Sequence, residues 1–205
     1  MNSIGQVTTR SALLALREER DVVEEAYAFL DEKRLVLAAE MLRQLQHYEA
    51  LVKARETHTR QAGQALATAL RSHGLEDLAV YPSDNETQWR LDRRQRLFMG
   101  VTLAELQLHR RDDAALPAAP CFASKGAETC RESFRTLVAA SGELAAVTGN
   151  LYRLMAEYKL TERRARALEN IILPELEQDL KEMATHLEEI EQEDAIRVRL
   201  QGLMP

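Results

Sequence analysis

Helix breakers are concentrated in the middle of this chain. Between Gln6 and His73 there is no proline, and Gly63 is the one glycine. From Ala127 to Gln201 the breakers are Gly142, Gly149 and Pro174, whereas residues 74–125 hold Gly74, Pro82, Gly100, Pro117 and Pro120. Proline removes a backbone donor and glycine adds backbone freedom, so long stretches poor in both favour uninterrupted helix. A helix over either outer stretch would run about 100 Å at ~1.5 Å per residue, too long to be one element of an ordinary globule. The composition agrees: aromatics are 5% of the 205 residues and charged residues 29%, long-helix usage with little of the aromatic volume that fills a globular core. The expected organisation is an N-terminal helix over 1–73, a middle segment over 74–125 and a C-terminal helix over 126–205, kinked near Pro174.

Each outer stretch carries a narrow apolar seam. Steps of three and four from Leu13 pass through Leu16, Arg20, Val23, Tyr27, Leu30, Arg34, Leu37, Met41, Gln44, Tyr48, Leu51, Arg55, His58, Ala62, Ala65 and Ala69. The second series runs Phe134, Leu137, Ser141, Leu144, Thr148, Leu151, Met155, Tyr158, Glu162, Ala165, Glu169, Ile172 and Leu176. Past Pro174 it shifts by one, to Leu180, Met183, Leu187 and Ile190, a slip that alters the local supercoil. Two such seams in one chain satisfy each other best as an antiparallel two-helix coiled coil. The fold class is therefore all-α, with the middle segment as a small knob. Arg20, Arg34 and Arg55 fall on the seam, where their long stems can pack while the charged heads reach water. Pro174 has helix-forming sequence on both sides and reads as a kink, not a stop.

Within the knob, Leu75–Tyr81 and Arg96–Leu103 are candidate short strands, with the turn-forming run Pro82, Ser83, Asp84 and Asn85 between them. Residues 114–124, with Pro117 and Pro120, lead back to the second helix.

The residues offer little chemistry. His47, His58, His73, His109 and His186 are dispersed, with no partner three or four positions away among themselves, and a metal site needs convergent ligands. Cys121 and Cys130 read as ordinary thiols. Gly100 lacks the Gly-Lys-Ser/Thr ending of a phosphate loop. No cofactor and no metal site is expected. Trp89 lies among Arg90, Arg93, Arg94 and Arg96, but the net charge of −6 speaks against nucleic acid as a partner. No apolar run approaches the ~20 residues that span a bilayer, and Met1–Arg10 lacks a signal-peptide core, so a cytoplasmic protein without direct membrane insertion is expected. The acidic residues concentrate late: Glu175–Asp194 contains nine, with Lys181 the one counter-charge, just after Arg163, Arg164 and Arg166. Such blocks are solvated faces or docking surfaces.

The block Thr161-Glu162-Arg163-Arg164-Ala165-Arg166-Ala167-Leu168-Glu169, followed by Ile171-Ile172-Leu173-Pro174, resembles the C-terminal helix signature of the V-type ATPase D subunit. The glutamate-rich run from Leu187 to Arg197, the segments Thr9–Leu14 and Leu30–Arg34, and Phe98-Met99-Gly100-Val101 are similar to further parts of that family, in the family's order. The resemblance implies a non-catalytic central rotor axle of a rotary ATPase or ATP synthase, peripheral to the membrane. It implies partners as well: three catalytic and three non-catalytic head subunits, the small central stalk F subunit, and a funnel-shaped subunit over the membrane ring. Torque would pass between nucleotide turnover in the head and proton or sodium translocation in the membrane. On that basis Arg10, Leu13, Arg17, Val23, Met183, Leu187, Arg197 and Arg199 are candidates for the tip inside the head. Thr161, Arg163, Arg164, Leu168, Glu169 and Pro174 would shape the mid-axle. Phe98, Met99, Gly100 and Val101 would build the foot knob, with Tyr48, Leu51, Leu144 and Leu151 where the small stalk subunit docks. The competing reading is a free-standing coiled-coil scaffold or adaptor.

Overall fold

Thr9 starts the first helix: its Oγ1 accepts from the Ala12 amide at 3.1 Å and its carbonyl from the Leu13 amide at 3.0 Å. An N-cap threonine supplies an acceptor to amides that have no partner inside the helix. In the computed structural model, which describes residues 9–79, 81, 89–110 and 124–201, α1 then spans Arg10–Ala79. Its regular course is broken at Gly74, where φ is 75° and ψ 173°, a conformation that favours glycine. Two strands follow, β1 (Trp89–Phe98) and β2 (Val101–Arg110). The chain ends with α2 (Lys125–Ala167), a π-helical turn (Leu168–Ile172) and α3 (Leu173–Gln201). Ser124 caps α2, its Oγ accepting from the Ala127 amide at 3.3 Å and lying 2.5 Å from His73 Nε2.

The chain divides into two units, one made of Met1–Val36 with Tyr158–Pro205, the other of Leu37–Glu157. In the first, Arg10 pairs with Glu191 at 2.5 Å, and the Tyr27 phenol faces Glu169. In the second, His47 Nε2 lies 3.4 Å from Glu143, and a Cβ on Gly126 would stand 4.0 Å from the Ala69 Cα. In each unit the partner number falls as the α1 number rises, so the pairing is antiparallel in both. The expected fold class, two long terminal helices in an antiparallel pair with a small irregular or hairpin knob between them in sequence, is the one observed, and the knob holds a hairpin.

The α1 seam is read correctly almost throughout: from Leu13 to Ala69 every seam position except Arg55 is buried or half-buried. The seam arginines reach water as expected. Arg20 pairs with Asp21, Arg34 with Asp31 at 2.5 Å, and Arg55 is exposed. The second seam is displaced by one residue over part of its length. Val147, Leu154 and Thr161 are buried where Thr148, Met155 and Glu162 are expected. Two successive three-residue steps, Ser141 to Leu144 to Val147, produce the shift, a change of phase that strict three-four stepping passes over.

At Pro174 the chain stays helical. Proline cannot donate to the carbonyl four residues back. Just upstream the ladder widens to π spacing, with the Leu173 amide donating to the Leu168 carbonyl. Such a π-bulge is a recognised way for a helix to accommodate an irregularity.

The strand positions need correction. Leu75–Ala79 is helical, and Arg96–Leu103 straddles a turn. The turn residues are Met99 (φ 48°) and Gly100 (φ 87°), flanked by the closing pair Phe98 and Val101. Two consecutive positive φ values characterise the tight hairpin turn whose twist matches that of the strands, and glycine is favoured at its second position. A methionine in the first is unusual, which is why the turn passes unnoticed in the sequence. The run Pro82–Asn85, expected as the turn, lies outside the described residues.

Candidate functional site

The most elaborated polar site joins the hairpin to the helices of its own unit. β2 carries the buried Val101, Leu103 and Ala104, while most of β1 is exposed, so β2 is the strand that lies on the helices. Asn150 of α2, 3% exposed, reads the outer edge of β2. Its Oδ1 accepts from the Ala104 amide at 2.8 Å and its Nδ2 donates to the Ala104 carbonyl at 2.8 Å. Arg153 Nη1 donates to the same Oδ1 at 2.8 Å. One carboxamide thus does what a neighbouring strand would do for that residue, satisfying a donor and an acceptor that burial would otherwise leave unpaired. At Gly142 the hairpin lies against α2: a Cβ there would meet Leu108 Cβ at 3.7 Å, an ordinary contact distance.

Glu40 of α1, 7% exposed, makes the second anchor. It accepts from Arg43 at 2.6 and 2.8 Å, from Gln44 Nε2 at 3.0 Å, and from Arg96 of β1 at 3.1 Å. Arg96 also lies over the Phe98 ring, 5.5 Å from its centroid. The hydrogen bonds from Arg43 lower the Glu40 carboxyl most, with Gln44 and Arg96 adding to them against the opposing effect of burial, to about 2 from the usual 4.5.

Because the folded value lies below the unfolded one, ionised Glu40 stabilises the fold above about pH 4.5, and that contribution is lost as pH falls toward 2. Glu40→Gln should cost about 2 kcal/mol at neutral pH, somewhat less than the full shift because Arg43 and Arg96 remain half in water. Urea melts of both proteins at pH 7 and pH 3 check this. The gap between them should shrink at pH 3, and an unchanged gap would deny the ion cluster its role.

Among the foot residues, Val101 is buried, Phe98, Tyr48, Leu51, Leu144 and Leu151 are half-buried, and Met99 and Gly100 are exposed at the hairpin tip. The helical residues of that set pack in the seam; among the exposed apolar side chains of this unit are Leu42, Leu45, Tyr152 and Met155 on its helices. In the first unit Leu13, Val23, Met183 and Leu187 are half-buried along the seam, whereas Arg10, Arg17, Arg197 and Arg199 are exposed. Arg197 pairs with Asp194 at 3.3 Å. Ile196, Val198 and Leu200, not among the candidate contacts, are exposed beside Arg197 and Arg199. Of the mid-axle set, Thr161 is buried and Leu168 half-buried, while Arg163, Arg164, Glu169 and Pro174 face solvent. Burial, followed by the Glu169 carboxylate, pushes the Tyr27 phenol up.

Asn150, Glu40 and Ala104 were missed by sequence reading. Glu40 has a local signal in Arg43 and Gln44 three and four residues on and Asn150 one in Arg153, but the strand residue that Asn150 pairs with is 46 residues away. Among the described residues no group of three or more His, Cys, Asp or Glu converges as a metal cluster would. Cys130 is buried, which pushes its thiol up and away from reactive thiolate; Cys121 lies outside the described residues. No helix among the described residues is long and apolar enough to cross a membrane.

Comparison with known proteins finds sequence similarity along nearly the whole chain. A family model for the ATP synthase D subunit matches residues 12–200. The chain is 34% identical over 200 residues to the V-type ATP synthase D subunit of Anaeromyxobacter dehalogenans, covering 94% of this chain and 93% of the relative. It is 30% identical over 198 residues to the A-type ATP synthase D subunit of Pyrococcus furiosus, covering 93% and 90%. With the V-type ATP synthase D subunit of Thermotoga neapolitana it shares 26% identity over 191 residues, covering 93% and 94%.

Proposed function

The chain belongs to the ATP synthase D-subunit family, and from that membership we propose that it is the central rotor axle of its complex, transmitting torque between the catalytic head and the ion-translocating membrane sector without catalysing a reaction itself. The observation that carries this reading is the antiparallel pairing of α1 with the C-terminal helices in both units. A torque-bearing shaft requires stiffness, and two helices packed along a shared seam resist bending and twisting better than either alone. Its outward faces are charged and broken by isolated apolar side chains, which suits contact with several different neighbours.

In this proposal Arg10, Arg17, Arg197 and Arg199 meet the head subunits, with Ile196, Val198 and Leu200 as apolar contacts among them. Leu13, Val23, Met183 and Leu187 hold the two helices together beneath. Arg163 and Arg164 present charge along the shaft. The small stalk subunit docks on the hairpin unit, over exposed Leu42, Leu45, Tyr152 and Met155 more than over the seam residues Tyr48, Leu51, Leu144 and Leu151. The protein works at the membrane periphery, as part of the complex.

Purification of the tagged protein from its own cells tests the assignment. Recovery with three copies each of two head subunits per chain supports the axle, whereas recovery as a homodimer alone replaces it with a scaffold. Reversing charge at both Arg163 and Arg164 should lower ATP-driven ion pumping several-fold while head ATP hydrolysis persists, since interfacial like-charge contacts cost several kcal/mol. Unchanged coupling would remove these arginines from the torque path.

A further inference from the structure

β1 has an edge that no described part of the chain covers. Neighbouring positions of an antiparallel pair alternate between residues bonded across the ladder and residues whose amide and carbonyl point outward. Ala104 points its amide and carbonyl outward to Asn150, and its partner across the hairpin is Gln95. The alternation therefore turns the amides and carbonyls of Leu91, Arg93, Gln95 and Leu97 toward the free edge of β1, while Asp92, Arg94, Arg96 and Phe98 bond within the hairpin. On the β2 side Asn150 takes up the outward groups of Ala104. On the β1 side, among the described residues, nothing plays that part.

The edge is ten residues long and strongly basic. β1 carries Arg90, Arg93, Arg94 and Arg96 against Asp92 alone. Arg96 is committed to Glu40. Arg90 reaches Asp92 at 2.9 Å yet keeps 69% of its side chain exposed, and Arg93 and Arg94 are exposed. Register places Arg94 across from Glu105, so Arg93 is the β1 arginine set against no carboxylate of the hairpin, and Arg90 stays largely in water beyond its one bond to Asp92. Leu91 and Leu97, 55% and 74% exposed, share a face with Arg93. Charges on an edge strand discourage indiscriminate pairing with another chain. The same arginines select a strand of opposite charge, with main-chain bonds supplying affinity and alternate side chains supplying specificity.

We propose that the free edge of β1 accepts an extended acidic segment of another subunit of the complex as a third strand, with carboxylates set against Arg90 and Arg93 and apolar side chains against Leu91 and Leu97. This rests on the family assignment and on the chain working inside a multisubunit assembly, not on the axle role.

Amide hydrogen exchange resolved to single residues, on the isolated full-length chain and on the purified complex, tests it. In the isolated chain the amides of Leu91, Arg93, Gln95 and Leu97 should exchange fast and those of Arg94, Arg96 and Phe98 slowly. In the complex the first set should slow by about tenfold or more, as expected for newly hydrogen-bonded amides. Gln95→Pro removes one outward donor and leaves the ladder intact. It should abolish the added protection at Arg93 and Leu97 while Arg96 and Phe98 stay protected, which shows that the hairpin still folds. Arg90→Glu with Arg93→Glu should do the same. Slow exchange of the first set already in the isolated chain would mean that the edge is closed by this chain and would overturn the proposal. So would fast exchange of that set in an intact complex. Protection that survives Gln95→Pro would also overturn it, because the cover would not be a strand. Failure of the chain to co-purify with any other subunit would overturn both the axle and this proposal, whereas a complex that lacks head subunits would refute the axle alone and its exchange pattern would still decide the strand.

Discussion

Replacing Asn150 with leucine is expected to detach the hairpin from the helices. The carboxamide exchanges two bonds with Ala104 and accepts a third from Arg153, all in a buried setting. Leucine is close in size but offers no polar atom, so the Ala104 amide and carbonyl lose their partner while still covered. Orphaning a buried polar group costs ~1–3 kcal/mol, giving about 2–5 kcal/mol for the pair if the hairpin stays in place. The hairpin can instead lift away to let water reach those groups, and its own ladder survives because the turn at Met99 and Gly100 is local. The expected outcome is a lower urea midpoint, together with loss of exchange protection at the Ala104 amide and retention at Arg94 and Arg96. A change below ~0.5 kcal/mol with Ala104 still protected would show that the apolar contacts of Val101 and Leu103 hold the hairpin by themselves.

Leu154→Ala and Met155→Ala should differ sharply although the residues are neighbours. Leu154 is fully buried at 0% exposure, and Met155 is 37% exposed. Truncating a buried leucine removes transfer free energy and leaves a cavity, at ~2–5 kcal/mol, whereas trimming a partly exposed methionine should cost less than ~1 kcal/mol. The register that sets His47 beside Glu143 brings Leu37, likewise at 0% exposure, opposite Leu154. Leu37→Ala should therefore be comparably costly, and the double variant should fall short of the sum, since both remove parts of one packed layer. Equal effects at 154 and 155 would contradict the phase of the second seam.

That phase marks where sequence reading stops. On α1 the three-four pattern was sufficient because the seam never skips a beat, and even its arginines behaved as the length of their side chains requires. On the second helix the series starts on exposed Phe134, is right from Leu137 to Leu144, and then runs one residue late at Thr148, Met155 and Glu162 while Leu151 and Tyr158 keep their places. The two short steps at Leu144 and Val147 are legitimate readings of an apolar sequence that also offers Thr148, Leu151 and Met155. Both phases are apolar enough to bury, and the partner helix chooses between them. The hairpin was legible as an element but not in its strands. Pro82–Asn85 carries the strongest turn composition, yet the described turn is at Met99-Gly100, set by backbone dihedrals and by pairing over ten residues.

The candidate sites divide in the same way. The tip, mid-axle and foot residues came from a resemblance in short sequence blocks, and the structure sorts them into seam positions and exposed ones. The contacts that tie the hairpin down were invisible: Arg96 reads as one more exposed arginine until Glu40, 56 residues earlier, is placed beside it.

By itself, then, the sequence determined that this chain makes two long helices, which face of the first is apolar, and which family it belongs to. These properties are encoded within a few turns of chain, in the spacing of apolar residues, in where proline and glycine stand, and in contiguous motifs. Only the tertiary structure decided which of two adjacent positions on the second helix is buried, how Pro174 is absorbed by a π-turn, and which strand of the hairpin is anchored and which left open. Each of those depends on a partner far away in sequence, whose packing and hydrogen bonds select among local alternatives that differ by only a few kcal/mol.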